Sequence, residues 1–154
     1  MYQKILVPLD GSELSECVLH HVKTMTKGSD MQTIVFLRVV EPLHLHEGLE
    51  YAIALGERQK IEADNMNIAR NYLQNVVNRF DYEGINVHSE TITGKVTESI
   101  IEYATNNDVE LIVIATHGHS GIKRWALGSV ADKILHSSCI PVLMVRAPGC
   151  EISI

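Results

Sequence analysis

The sequence contains few cysteines, prolines and aromatic residues. Of its 154 residues only 3 are cysteines and 4 are prolines, and aromatic residues make up 5%. Cys17, Cys139 and Cys150 form no CxxC pair and match no zinc-ligand spacing, which excludes a disulfide or zinc framework. We expect all three to be free, buried thiols with a structural role, in a protein of a reducing compartment.

Long apolar runs and an excess of basic residues are also missing. The longest apolar stretches, such as residues 111–115, are far shorter than the roughly 18 residues of a membrane span, and the N-terminus lacks a signal-peptide pattern. The formal charge of −6 argues against a duplex nucleic-acid binder, since such proteins bind phosphates through Lys and Arg. These absences predict a cytoplasmic protein that binds neither membrane nor nucleic acid.

The remaining composition is that of a globular protein. Hydrophobic residues make up 45% and charged residues 21% of the chain, which excludes disordered and fibrous classes. A chain of 154 residues corresponds to about one domain and buries enough surface to fold without disulfide bonds or bound metal ions. We expect one domain over residues 1–147 and a short C-terminal tail over residues 148–154.

Apolar residues follow two alternating periods along the chain, which predicts alternating strands and helices. Strands are predicted over residues 4–9, 33–40, 85–92, 109–115 and 141–146. Helices are predicted over residues 14–25, 61–80, 96–105 and 129–138. Five strands separated by four helices imply right-handed crossovers and a parallel sheet with helices on both faces, which is a doubly wound α/β sandwich.

Two of these helices have apolar stripes that we expect to pack on the sheet. The stripe of the first helix consists of Leu14, Val18, His21, Val22 and Met25, so His21 is expected in the core or at its rim. The stripe of the second helix consists of Ile61, Ile68, Leu73, Val76 and Phe80. Tyr51 and Tyr72 are interpreted as packing residues. Residues 41–56 have no clear period and are long enough for a lid or a short helix.

The loops after the strands are the candidate binding site, because ligands of open parallel sheets bind beyond the carboxyl ends of the strands. Gly11 and Gly94 fall in such loops, where ordinary turn chemistry also explains them. Gly118 and Gly121 are followed by Gly128 and Ser129 at the start of a helix, an arrangement that suits a phosphate.

The charge around these later glycines is locally positive. Between His117 and His136 the chain has three cations, Lys123, Arg124 and Lys133, and one anion, Asp132, although the whole chain carries −6. A locally positive loop on an acidic protein favours a small anionic ligand over a polyanion.

Several motifs, in their order and spacing, resemble the universal stress proteins over nearly the whole chain. The shared segments are residues 5–12 (ILVPLDGS), Thr93-Gly94, residues 116–121 (THGHSG), residues 127–131 (LGSVA) and residues 139–145 (CIPVLMV). The nucleotide-binding branch of that family has a glycine, two residues, a second glycine, nine residues, and then glycine with serine or threonine. Gly118 and Gly128-Ser129 fit this pattern, whereas Ala115 stands in place of the first glycine.

The resemblance implies a domain with strand order 3-2-1-4-5 that binds ATP, or else ADP or AMP, as a regulatory ligand in the stress response. It implies that Asp10 bonds the ribose, that the Val39 backbone lies beside the adenine, and that Mg²⁺, if bound, is held through the phosphates. The implied nucleotide-binding residues are Pro8, Leu9, Asp10, Val39, Ala115, His117, Gly118, His119, Gly121, Gly128, Ser129 and Val130. In that strand order residues 141–146 form an apolar edge strand, which predicts a homodimer through this strand.

Signatures of catalysis are missing from the sequence. It has no GxxxxGK[ST] loop and no GxGxxG after the first strand, and residues 10–13 lack the Ser-Gly-Gly run of adenylating enzymes. We expect His117 and His119 to bond phosphate or to be exposed, and His44 and His46 to be a solvated pair and not metal ligands. We assign no catalytic residue and expect at most slow ATP hydrolysis. The alternatives are a hydrolysing or phosphotransfer enzyme of the same fold and a dimeric interaction module with an empty site.

Overall fold

A computed structural model describes residues 2–43, 55–80, 84–116 and 129–146 of the chain. Its strands are β1 (Lys4–Pro8), β2 (Thr33–Val40), β3 (Asn86–Thr93), β4 (Leu111–Thr116) and β5 (Val142–Arg146). Its helices are α1 (Val18–Thr26), α2 (Leu55–Asn78), α3 (Val96–Asn106) and α4 (Ser129–Ser137), and a short 3-10 turn at Ser15–Cys17 precedes α1. The predicted order of strands and helices is confirmed, although α2 begins at Leu55, earlier than expected.

The five strands form one parallel sheet in the order β3-β2-β1-β4-β5. In the centre, Ile5 of β1 pairs with Ile34 of β2 on one side and with Leu111 of β4 on the other. The runs of Ile, Leu and Val make these strands apolar on both faces, as a sheet covered by helices on both sides requires. The doubly wound α/β class and the order 3-2-1-4-5 are therefore confirmed.

Alternate residues of the central strands enter two separate cores. Val7, Phe36 and Val113 pack in one core with residues of α1 and α2, such as Val22 and Leu73. The other core contains Leu6, Val35 and Ile112 from the strands, Ile100 from α3 and Ile134 from α4. This division follows from the period of two along a strand, which sends adjacent side chains to opposite faces.

The apolar face expected for α2 is wrong at two of its positions. Ile61 is 39% exposed and Ile68 is 60% exposed, whereas Ala69, Leu73 and Val76 are buried. The 24-residue helix is about 36 Å long, while a strand of 8 residues spans about 26 Å. The N-terminal half of α2 therefore extends past the carboxyl edge of the sheet, where neither described core reaches it.

The end of β3 marks where α2 passes this edge. The hydroxyl of Thr93, the last residue of β3, donates to the sulfur of Met66 at 3.4 Å. Ile61 precedes that level of the helix, and Ile68 is one position, or about 100° of rotation, away from the buried Ala69. The apolar spacing of the sequence does not predict that Ile61 and Ile68 are exposed.

The expectations for the first helix and for the cysteines need similar corrections. His21 is exposed, and Leu14 lies before the first turn of α1 with 44% of its surface exposed. Cys17 is a free thiol but only half-buried, and burial raises its pKa. Cys139 is free and exposed in the turn between α4 and β5, so its expected burial is wrong. Cys150, Tyr51 and the pair His44 and His46 lie outside the described residues.

Candidate functional site

A pocket of about 360 Å³ opens at the carboxyl edge of the sheet, where the strand order reverses between β1 and β4. This is the position at which doubly wound sheets bind their ligands. Every predicted site residue within the described ranges lines it, namely Pro8, Leu9, Asp10, Val39, Ala115, Ser129 and Val130. The remaining predicted site residues lie outside those ranges, namely His117, Gly118, His119, Gly121 and Gly128.

One wall of the pocket is apolar. Val39 contributes to it from the end of β2, Ile114 from β4, and Val96 and Ile100 from the first turns of α3. Val39 and Leu37 project from the same face of β2, because the side chains alternate along a strand. A wall of aliphatic side chains without charge suits the flat face of an aromatic ring system.

The pocket lining also contains polar groups. Asp10 and Ser15 follow β1, and Thr116 and Ser129 lie at the end of β4 and the start of α4. Thr116 is only 3% exposed, and its hydroxyl donates to the backbone carbonyl of Val145 at 3.5 Å. A mainly apolar lining with a few placed polar groups is the usual composition of a small-molecule pocket.

The turn after β1 places the Asp10 carboxylate. The backbone N–H of Ser12 donates to Asp10 Oδ1 at 2.8 Å, and the Ser12 hydroxyl donates to the same oxygen at 2.6 Å. The Ser15 hydroxyl in turn donates to the Ser12 carbonyl at 2.8 Å. Gly11, which lies between Asp10 and Ser12, has a φ of +87°, a value that residues with a Cβ atom rarely adopt. The motif Asp-Gly-Ser thus forms a hydrogen-bonded turn that orients one carboxylate at the mouth of the pocket.

The N-terminus of α4 faces the same pocket. Ser129 is the first residue of this nine-residue helix, and both Ser129 and Val130 line the pocket. The first backbone N–H groups of a helix have no partner within the helix, and its dipole is positive at this end. This end of the pocket therefore suits a negatively charged group.

Several lining residues were not anticipated from the sequence. They are Leu14, Ser15, Leu37, Val96, Ile100, Ile114, Thr116 and Ala131. The period of two offers a signal for Leu37, which lies two residues before Val39 on the same face of β2. Val96 and Ile100 had no such signal, because the position of α3 against the sheet decides which of its residues reach the pocket.

Arg38 and Tyr72 lie beside the Asp10 turn, on the sheet face opposite the pocket wall. The guanidinium carbon of Arg38 is 5.3 Å from the centre of the Tyr72 ring. Burial and the negative charge of Glu16 raise the pKa of Tyr72 to about 12. Tyr72 thus packs as predicted, and its ring also contacts the Arg38 guanidinium beside the site.

Within the described ranges, no three His, Cys, Asp or Glu side chains come close enough together to bind a metal ion. Asp10 is the one carboxylate among the described residues of the pocket lining. In the part of the chain that the structure covers, no helix has the length and hydropathy needed to cross a membrane.

The fold and the pocket define a class of small α/β proteins that hold a ligand at the switch point of a parallel sheet. The chain belongs to the universal stress protein family, whose model matches residues 1–146. Two universal stress proteins of Methanocaldococcus jannaschii are similar to it. MJ0577 is 29% identical over 95% of this chain and 96% of its own length, and MJ0531 is 30% identical over 98% and 86%.

Solved structures with the same fold include that of MJ0577, with a TM-score of 0.77, 28% identity, and coverage of 97% of this chain and 99% of that one. A universal stress protein in complex with cAMP has a TM-score of 0.59 and 19% identity, covering 95% and 98%. An Arabidopsis thaliana universal stress protein with AMP bound has a TM-score of 0.59 and 13% identity, covering 96% and 93%. At these identities the last two show a shared fold.

Proposed function

We propose that this protein binds an adenine nucleotide, with ATP as the first candidate, and that the nucleotide acts as a regulatory ligand in a cytoplasmic stress response. One observation carries the proposal: a single pocket combines an apolar wall, a positioned carboxylate and a helix N-terminus. These three features match in chemistry the base, the sugar hydroxyls and the phosphates of a nucleotide.

In the proposed complex the adenine lies beside the Val39 backbone, between the apolar side chains of β2 and α3. Asp10 accepts hydrogen bonds from the ribose hydroxyls. Ser129 and Val130, with Gly118 and Gly128, donate backbone N–H groups to the phosphates. The pocket volume of about 360 Å³ is near the lower end of the range for small-molecule sites. It therefore suits the nucleoside, with the phosphates extending over the start of α4.

Membership of the family supports this proposal, as do the solved family members that hold cAMP and AMP. The described pocket lining has one carboxylate, Asp10, whose proposed partner is the ribose. A Mg²⁺ ion would therefore be held by the phosphates and water, and any hydrolysis is expected to be slow. Multiple-turnover ATPase activity above about 1 per second that survives further purification would favour the enzyme alternative.

The first experiment is to purify the protein without added nucleotide, denature it and identify any adenine nucleotide by chromatography. The second is thermal unfolding with millimolar ATP. If the dissociation constant is micromolar, ATP at roughly 100 to 1,000 times that value adds about 2.7 to 4.1 kcal/mol of stability. For a domain of this size the midpoint then rises by about 5 to 15 °C. No nucleotide and no thermal shift together would contradict the proposal and favour the empty interaction module.

Two variants test the placement of the ligand. Asp10→Asn removes the charge but keeps an oxygen that accepts from Ser12, so the turn persists while the ATP affinity falls by about tenfold. The matched control is Asp30→Asn, an exposed carboxylate in the loop before β2, at the opposite edge of the sheet. Gly128→Val should abolish most of the ATP-induced thermal shift, because its side chain would block a phosphate from the backbone. An Asp10 variant that binds ATP like the control would place the ribose elsewhere.

A further inference from the structure

The guanidinium of Arg38 fills the space between the Asp10 turn and α2. A Cβ atom added to Gly11 would lie 2.8 Å from Arg38 Nη1 and 3.2 Å from its guanidinium carbon. The same carbon lies 5.3 Å from the centre of the Tyr72 ring of α2. Arg38 thus contacts the backbone of the turn on one side and an aromatic face on the other, while its neighbour Val39 lines the pocket from the opposite face of the sheet.

Arg38 is half-buried, and no ion pair between described residues accounts for its position. In the described part of the chain, no carboxylate oxygen lies within 4.0 Å of its guanidinium, and no hydrogen bond is formed by it. The guanidinium lies next to the Cβ position of Gly11 and over the Tyr72 ring, a cation–π arrangement. Among the described residues, these two neighbours define its position.

The contact with Gly11 matters because Gly11 is the flexible point of the turn. Glycine has the widest range of backbone conformations, and this one occupies the left-handed region with a φ of +87°. The hydrogen bonds of Ser12 to Asp10 Oδ1, at 2.8 and 2.6 Å, span Gly11. A displacement of Gly11 therefore changes the direction of the Asp10 carboxylate.

We infer that Arg38 is a positioning residue, which holds Gly11 so that the Asp10 carboxylate is fixed toward a ribose at the mouth of the pocket. This inference rests on the proposed function. Arg38 acts through the turn and touches no part of the nucleotide. Its removal should therefore weaken the recognition of ribose hydroxyls and leave the base and the phosphates unaffected.

The test compares the dissociation constants of ATP and 2′,3′-dideoxy-ATP by calorimetry. The wild type is expected to bind ATP about tenfold more tightly than the dideoxy analogue, the effect of hydrogen bonds to a charged group. In Arg38→Met the ratio should fall to about threefold or less through weaker binding of ATP alone. The control is Arg79→Met, which removes a guanidinium that pairs with Glu16 at 2.9 Å on the same side of the sheet. It should keep the wild-type ratio.

Three results would overturn the inference: a wild-type ratio near one, an unchanged ratio in Arg38→Met, or an equal loss of both nucleotides in that variant. If Arg38→Met does not fold, Arg38→Lys is used, since it keeps the stem and charge but lacks the planar group that stacks on Tyr72. The ratio should fall in this variant as well.

A measurement without nucleotide separates this inference from the proposed function. If the wild type binds neither nucleotide, the proposed function fails, and amide hydrogen exchange of the free protein decides the role of Arg38. The Ser12 N–H, which donates to Asp10, should exchange at least about tenfold faster in Arg38→Met than in the wild type and in Arg79→Met. Equal exchange rates in all three proteins would overturn the positioning role.

Discussion

At the scale of single residues, the site depends on a few backbone and ring contacts beside the Asp10 turn. Gly11 is favoured by its φ of +87°, and a Cβ atom at this position would also displace the Arg38 guanidinium. Gly28 is a useful comparison, because it has a φ of +67° but, apart from its chain neighbours, no described residue has an atom within 4 Å of its Cβ position. Comparing substitutions at Gly11 and Gly28 therefore separates the effect of backbone strain from the effect of the contact with Arg38.

Gly11→Ala is expected to destabilise the protein more than Gly28→Ala. Both substitutions cost about 1 to 2 kcal/mol of strain in the left-handed region. Gly11→Ala also displaces the guanidinium from Tyr72, which adds about 0.5 to 1 kcal/mol. Urea unfolding of both variants measures the difference, and in an Arg38→Ala background the difference should disappear. Equal losses in the wild-type background would contradict the contact between Arg38 and Gly11.

The ionisation of Tyr72 gives a pH-dependent prediction. Its pKa is raised from 10.0 to about 12, first by burial and then by the negative charge of Glu16. Because the folded state binds this proton more tightly than the unfolded state does, the contribution to stability is complete below pH 10. It is lost as the pH rises toward 12.

Spectroscopic titration of the phenols checks this value. Subtracting the titration of Tyr72→Phe from that of the wild type isolates one tyrosine, whose midpoint should lie near 12. The free energy of unfolding should fall less steeply between pH 10 and 12 in Tyr72→Phe than in the wild type. A midpoint near 10 in the difference curve would mean that Tyr72 is not shielded from water.

At the scale of secondary-structure elements, α2 has two functional halves. Its C-terminal half covers the sheet through Ala69, Leu73 and Val76. Its N-terminal half extends past the carboxyl edge and keeps Ile61 exposed, whereas Ile68 lies in the C-terminal half but is rotated away from the core. Substitutions of different apolar residues in α2 should therefore change the free energy of unfolding by very different amounts.

Leu73→Ala should lower the free energy of unfolding by about 2 to 5 kcal/mol, since it leaves a cavity in the core. Ile68→Ala should change it by less than about 0.5 kcal/mol, as is usual for exposed positions. Chemical denaturation of both variants gives the comparison directly. A large loss at Ile68 would show that α2 is rotated from the orientation described above.

At the scale of the whole molecule, the sheet ends in two different edge strands. The edge strand β5 contains the apolar run Val142, Leu143 and Met144, of which Val142 and Met144 pack against one core and Leu143 is 38% exposed. The outer edge of β3 is more polar, with Ser89, Glu90 and Thr91 in its middle. An apolar edge with unpaired backbone groups favours association with a second copy of the chain, whereas a polar edge does not.

We expect a homodimer formed through β5, in which Leu143→Lys gives a monomer because it places a charge in the interface. Light scattering at micromolar concentration measures the mass of both proteins. Asn86→Lys introduces the same charge at the exposed start of β3 and should leave the dimer intact. A monomeric wild type would refute the dimer, and a dimeric Leu143→Lys would move the interface away from β5.

The sequence by itself determined the order and type of the elements, because apolar periodicity is a local property of the chain. Residues 34–37 and 111–115 are apolar at every position, which is typical of strands buried on both faces, and several predicted site residues lie at or after the ends of the strands. The strand order came from the resemblance to a family and agrees with the sheet. These features needed no knowledge of how distant segments meet.

The tertiary structure alone decided which residues face the pocket and which lose their place in the core. Val96 and Ile100 reach the pocket because α3 packs on one face of the sheet, and Ile61 is exposed because α2 is longer than the strands it covers. Arg38 and Tyr72 meet beside Gly11 although they are far apart in the sequence. Such contacts depend on the packing of whole elements, and local pattern carries no information about it.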